Sequence, residues 1–273
     1  MTEKVTEKRV GVPTLLGIPF DGQSSYLRGA GDAPPKIREA MHCDASNDWT
    51  ELGVDLGAAD TFADAGDLAF SEKDAFEVIE SGIGKLLAEG RKPVSLGGDH
   101  SITYPIVKAF ARKYPELTIF HFDAHPDLYD QFEGTRLSHA CPFARIMESG
   151  LAKRLVQVGI RTMNGHQREQ ARRFGVEVTE MRDLPVHHHL KAAGPIYVSF
   201  DMDVLDPAFA PGVSHREPGG MSVREAIAHL HAIDGDFVGA DVVEYNPVPD
   251  VSGMTATVAA KIVKEILGKM LRK

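Results

Sequence analysis

The chain has 273 residues with 30 basic against 39 acidic side chains, a formal net charge of −9. Its 43% hydrophobic and 25% charged residues exclude a disordered chain, and the acidic balance argues against nucleic-acid or anionic-membrane binding. No apolar run reaches the ~18–20 residues of a membrane span, the charged stretch Met1–Arg9 is unlike a secretory signal, and two distant cysteines, Cys43 and Cys141, fit a reducing cytoplasm.

In chain order, Thr14–Phe20, Lys92–Gly97, Leu117–Asp123, Leu155–Arg161, Ile196–Asp201 and Phe237–Val243 are continuous apolar, β-branched-rich runs. Such runs predict strands buried on both faces. Helical patterns fall between them. Ser71-Glu-Lys-Asp74 reads as a capping box opening a helix to about Ala88, with Phe76, Ile79, Ile83 and Leu86 on one stripe. Thr103–Tyr114, Cys141–Glu148 and Gly165–Phe174 follow. Ser222-Val-Arg-Glu225 caps a helix over Val223–Ile233, and Thr255–Leu271 is the last and longest. This alternation predicts an α/β fold: one parallel sheet with helices on both faces, in a single domain spanning residues 1–273. Asp32-Ala-Pro-Pro35 reads as a turn, His187-His-His189 as a surface loop, and both cysteines as small buried residues.

Three acidic and histidine-rich clusters stand at predicted strand ends: Gly97-Gly-Asp-His-Ser101, Asp123-Ala-His-Pro-Asp127 and Asp201-Met-Asp203. Strand side chains alternate faces, so Asp123, His125 and Asp127 share one side while extended geometry persists, as do Asp201 and Asp203. The carboxyl ends of parallel strands form the ligand crevice. Gathering His100 with these residues there concentrates four carboxylates and two imidazoles, whose mutual repulsion divalent cations relieve. Any one of these residues alone reads as a cap or a turn. Six together suit two metals sharing carboxylates. Hard oxygen donors with two imidazoles and no thiolate favour Mn²⁺, with Co²⁺, Ni²⁺, Fe²⁺ and Zn²⁺ as alternatives.

On these three blocks, extended from Leu16-Gly-Ile-Pro-Phe-Asp21 to the last helix, the sequence resembles the ureohydrolases, the arginase and agmatinase family. The segment Leu137–Glu148 is similar to plant-type arginases and related bacterial agmatinases. The resemblance implies a three-layer arginase-like fold and a pair of Mn²⁺ ions. It assigns one ion to His100, Asp123, Asp127 and Asp201, and the other to His125, Asp123, Asp201 and Asp203. It places the catalytic histidine on His139 and the guanidinium-binding glutamate on Glu244; from its own chemistry, Asp127, beside the metal-held hydroxide, is expected to pass on the proton. It further implies a homo-oligomer, trimeric or hexameric, acting on a small guanidino substrate.

The residue chemistry agrees with these roles. A guanidinium carbon is a poor electrophile, and paired metals activate water at neutral pH. An imidazole shuttles protons, and a carboxylate takes paired N–H bonds from a flat guanidinium. Substrate choice is expected to lie in the loop Leu128–Ser138, where Asp130 and Glu133 would attract an ammonium and Arg136 would pair with a carboxylate or with Glu133. The acidic pair points to agmatine, cleaved to putrescine and urea. Arginine is the second expectation and guanidinobutyrate the third. A non-catalytic, ureohydrolase-like regulatory partner is the alternative outside enzymology. The loop Phe209–Gly219 adds His215, Arg216 and Glu217 near the third cluster, with no role legible in the sequence.

Overall fold

The computed structural model describes residues 11–71, 74–185 and 190–272. Eight strands form one sheet: β1 (Pro13–Gly17), β2 (Ala63–Asp67), β3 (Lys92–Leu96), β4 (Thr118–Phe122), β5 (Arg154–Ile160), β6 (Glu177–Glu180), β7 (Leu190–Asp201) and β8 (Ile233–Val243). Their spatial order is β2-β1-β3-β8-β7-β4-β5-β6, and every pairing is parallel. All carboxyl ends therefore meet at one edge of the sheet.

The period-two alternation of the strands splits the core in two. Leu15, Phe120, Phe122, Val198, Phe200 and Val242 pack with α1 (Ala33–Met41), α6 (Val223–Ala232) and α7 (Met254–Leu271). Leu16, Ile119, Leu155 and Tyr197, on the opposite face, pack with α2 (Ala75–Ala88), α3 (Thr103–Ala111), α4 (Pro142–Glu148) and α5 (Gly165–Phe174). Burying one such Leu, Ile or Phe side chain contributes about 1.5–3 kcal/mol. No described helix is long and apolar enough to cross a membrane.

The strands in the middle of the sheet lie where the apolar runs placed them. The edge strands β2 and β6 were not expected, because Ala63-Asp-Ala-Gly-Asp67 and Glu177-Val-Thr-Glu180 have almost no apolar character. An edge strand needs less apolar surface, and charge on it discourages pairing with other chains. Arg38 holds β2 through Asp64 (2.7 Å) and Asp67 (2.5 Å). The expected turn at Asp32–Pro35 is instead the start of α1, whose two prolines occupy the first turn, where no N–H is needed. α2 is capped by Asp74, whose side chain accepts the Phe76 N–H, rather than by Ser71. The Ser222–Glu225 capping box forms as expected. Cys141 is buried, whereas Cys43 is exposed. His187–His189 and Met1–Arg9 lie outside the described residues.

Candidate active site

Four neighbouring strands deliver the expected residues to one place, each through a tight turn at its carboxyl end. After β3, the Asp99 carboxylate accepts the Ser101 N–H (3.0 Å) and turns the chain so that His100 faces inward. Gly98 has no alternative there, because a Cβ would lie 1.9 Å from the Phe20 carbonyl oxygen. After β4, Asp123 Oδ1 accepts the His125 N–H (2.6 Å); after β7, Asp201 Oδ1 accepts the Asp203 N–H (2.8 Å). In both turns one carboxylate oxygen fixes the backbone and the other faces the centre. After β8, the Glu244 N–H reaches the Gly98 carbonyl (2.9 Å). Asp127 and Glu244 hold left-handed backbone, with φ of 50° and 62°.

The result is a buried cluster. His100 Nδ1 lies 3.0 Å from Asp201 Oδ2, 3.1 Å from Asp127 Oδ2 and 3.2 Å from Asp123 Oδ2. His125 Nδ1 lies 3.0 Å from Asp203 Oδ2 and 3.4 Å from Asp123 Oδ1. Asp123 thus touches both halves and is placed to bridge. Asp201 presents Oδ2 to the first half, while its Oδ1 holds the Asp203 turn.

These residues fit divalent cations. His100 Nδ1 is buried without a hydrogen bond of acceptable geometry, despite three carboxylate oxygens around it. Its lone pair and those oxygens converge, as ligands of one ion do. The tautomer is set from behind: His100 Nε2 lies 2.9 Å from Ser199 Oγ, which donates to Asp241 Oδ1 at 2.7 Å. Tyr197 (2.6 Å) and Thr103 (2.9 Å) donate to the other Asp241 oxygen. Electrostatics point the same way. Burial opposes charge on His100 and His125, yet the carboxylates around them hold both proton affinities well above the usual imidazole value. Burial, with Asp203 and Asp123 adding repulsion, pushes Asp201 well above the usual carboxylate range. A cation removes that conflict.

Asp241→Asn keeps the size of this supporting side chain and removes its charge. It is expected to weaken metal affinity about 10–100-fold. Competition with a chromophoric chelator measures this, and an unchanged affinity would free Asp241 from the role.

His139 and Glu244 stand beside the cluster. His139 Nδ1 is 3.0 Å from Glu244 Oε1, which also accepts the His100 N–H at 2.9 Å. Burial works against an imidazolium here, but the Glu244 carboxylate overrides it and His139 is pushed up to about 9. The cavity next to them encloses about 210 Å³. His125, Asp127, Asp201, Asp203, His139 and Glu244 line its floor.

The expectation for the loop Leu128–Ser138 requires correction. Asp130, Glu133 and Arg136 are not among the residues lining the cavity. Arg136 turns to Glu148 (2.8 Å) and Asp130 (3.1 Å). The buried Arg145 of α4 also takes Asp130, at 3.1 Å, and donates to the Asp130 and Arg136 carbonyls at 2.5 and 3.2 Å. Asp130 and Arg136, given ammonium- and carboxylate-reading roles, are thus spent on pinning the loop. The loop contributes Tyr129 and Phe132 to the cavity instead, and the rest of the wall is Ser25, Thr162, Gln167, His215 and Glu217. His215 and Glu217 come from the loop expected near the third cluster, whereas Ser25, Tyr129, Phe132, Thr162 and Gln167 were not singled out by their local sequence. Gln167 had a legible signal, since Asn164-Gly-His-Gln167 is a capping box at the start of α5. The Phe209–Gly219 loop reaches the rim because Arg161 donates to the carbonyls of Glu217 (2.6 Å) and Asp203 (2.7 Å). His121 was also missed: its Nε2 is 2.7 Å from Asp123 Oδ2.

Residues 13–268 match the model of the Arginase family. The chain belongs to the arginase family. It is 48% identical over 275 residues to "Arginase 1, mitochondrial" of Arabidopsis thaliana, across 94% of this chain and 80% of that protein. It is 37% identical over 263 residues to an agmatinase of Bacillus subtilis, across 93% and 90%. The structure of an arginase from Medicago truncatula superposes with a TM-score of 0.91 at 46% identity, covering 95% of this chain and 87% of that one. The arginase-like α/β fold and the His/Asp cluster make this member a binuclear-metal ureohydrolase.

Proposed function

We propose that the chain hydrolyses arginine to ornithine and urea, using two Mn²⁺ ions held by His100, His125, Asp123, Asp127, Asp201 and Asp203. When bound, the paired cations supply Lewis acidity and a nucleophile at neutral pH. The protein supplies the rest. The Glu244 carboxylate, fixed by the His100 N–H, accepts guanidinium N–H groups and orients the planar carbon over the cluster. His139 is charged at neutral pH and supplies the proton with which the amine departs. Asp127, on the cavity floor, takes the proton lost by the attacking water.

The observation that carries arginine over agmatine is the composition of the far wall. With Asp130 and Glu133 outside the cavity, the acidic feature that favoured agmatine is gone, and the Tyr129 hydroxyl and the Gln167 amide offer neutral donors suited to an α-carboxylate. The relatives at 46–48% identity bear the name arginase, which supports the same reading. Agmatine is the second reading, because Glu217 also lines the cavity and suits a terminal ammonium.

The test is kcat/KM for both substrates in the Mn²⁺-loaded protein and in Gln167→Glu. This substitution retains the capping box of α5 and adds a negative charge to the wall. A hydrogen bond to a charged group contributes about 1.5–3 kcal/mol, so the variant is expected to lose about 10–100-fold on arginine and nothing on agmatine. A parent that prefers agmatine, or a variant that falls equally on both, would overturn the arginine reading.

A further inference from the structure

His139 has no free nitrogen with which to meet a substrate. Its Nδ1 faces Glu244 Oε1 at 3.0 Å, and its Nε2 lies 2.8 Å from Ser25 Oγ. The ring is walled on one side by His215, with ring centroids 5.1 Å apart. Ser25 lines the cavity beside it.

The arrangement of Ser25, His139 and Glu244 has the spacing of a nucleophile, a base and an orienting carboxylate. Its charge is wrong for that role. A carboxylate only accepts, so Nδ1 carries a hydrogen. With His139 held as an imidazolium through neutral pH, Nε2 carries one as well, and the ring cannot take a proton from Ser25. The hydrogen bond therefore runs from Nε2–H to Ser25 Oγ. A hydroxyl that accepts on one side has its own O–H free to donate on the other, and here the other side is the substrate cavity.

The Ser25 hydroxyl is also held in place. The Gln23 N–H (2.9 Å) and the Ser24 hydroxyl (3.3 Å) both donate to Asp99 Oδ2. The Gln23 carbonyl accepts the backbone N–H of His139 at 3.2 Å. The segment that carries Ser25 is thus tied to the residue it serves on one side and to the β3 turn on the other. A relay needs this, because proton transfer requires donor and acceptor at about 2.6–3.2 Å at the moment of reaction.

We infer that Ser25 is the relay through which the proton of His139 reaches the departing amine. In the step, the Nε2–H bond of His139 breaks as a new O–H bond forms on Ser25. The original O–H bond of Ser25 breaks as an N–H bond forms on the amine nitrogen. The C–N bond to the guanidinium carbon cleaves with its electron pair staying on that nitrogen. His139 ends neutral, Ser25 is unchanged, and bulk solvent reprotonates the ring. The inference rests on the reading of His139 as the proton source.

The test compares kcat, KM and metal content of Ser25→Ala, Ser25→Thr, His139→Asn and the double variant Ser25→Ala/His139→Asn. All are loaded with Mn²⁺ and assayed on whichever of arginine and agmatine the parent turns over faster. Ser25→Ala is expected to lose about 10–100-fold in kcat, less than the about 10²–10⁴-fold of removing the acid itself, since a water takes over part of the path. Its KM and its two metals are expected to stay as in the parent, and Ser25→Thr, which retains a hydroxyl, to recover most of kcat. The double variant is expected to be no slower than His139→Asn, because the two residues act in one chain. A Ser25→Ala variant at the parent rate beside a slow His139→Asn would sink the relay and leave His139 standing. Additive losses in the double variant would do the same. His139→Asn at the parent rate would remove both readings.

Discussion

His139→Asn is expected to retain both metal ions and lose about 10²–10⁴-fold in kcat, the range for a missing general acid or base. The pH profile carries the sharper information. The folded protein holds His139 up to about 9, above its ordinary 6.5, so the ring is charged through neutral pH and loses its proton only in alkaline solution. An acid with that value gives a rate that is flat at neutral pH and falls as pH rises through about 9. In Glu244→Gln the neighbouring carboxylate is gone and the alkaline limb is expected to move toward neutrality. KM in that variant should rise about 10–100-fold through the lost charge-assisted bonds to the guanidinium. Linkage gives the matching sign for stability. The raised His139 contributes fully below pH 6.5 for as long as Glu244, held against burial below the usual carboxylate range by His139, stays ionised, and that contribution is lost as pH rises through about 9. A limb that stays put in Glu244→Gln would show that a different group sets it.

Removal of the metals is the other large effect. Dialysis against a chelator is expected to bring urea release to background, with recovery at two equivalents of Mn²⁺ per chain. Stability should follow. An ion present at a hundred times its Kd stabilises the folded state by about 2.7 kcal/mol. For a chain of this size that is about 5 °C in Tm per ion. Asp123→Ala, which removes the carboxylate shared by the His100 and His125 halves, is expected to lose the recovery. Recovery with one equivalent, or a Tm indifferent to metal, would refute the two-ion site.

The central strands and the metal cluster were legible in the sequence for one reason. Strands buried on both faces must be continuous apolar runs, and function at their ends is compressed into a few adjacent residues. His100, Asp123–Asp127 and Asp201–Asp203 are three such local words. The far wall is different. Ser25, Tyr129, Gln167 and His215 come from four segments that share no local pattern and meet only because the connections that follow β1, β4, β5 and β7 converge. The misreading of Asp130 and Arg136 has a related cause. A charged loop residue pairs with the nearest opposite charge, and here those are Arg145 and Glu148 on the helix that follows. The polar edge strands escaped notice because a strand at the sheet margin does not need the apolar signature by which strands are found.

The left-handed backbone at Asp127 and Glu244 has a consequence for the history of such a chain. Conformations of this kind cost roughly 1–2 kcal/mol for a residue with a side chain, and glycine adopts them freely. Of the four described non-glycine residues with positive φ, these two lie in the site, and both also bring negative charge to a crowded, buried place. Selection for durability alone would replace them, and the resulting protein would keep its sheet, its helices and its overall shape. On the proposed mechanism, turnover is what calls for carboxylates at 127 and 244, and a sturdier, inert descendant would be told apart at those two positions long before its fold gave any sign.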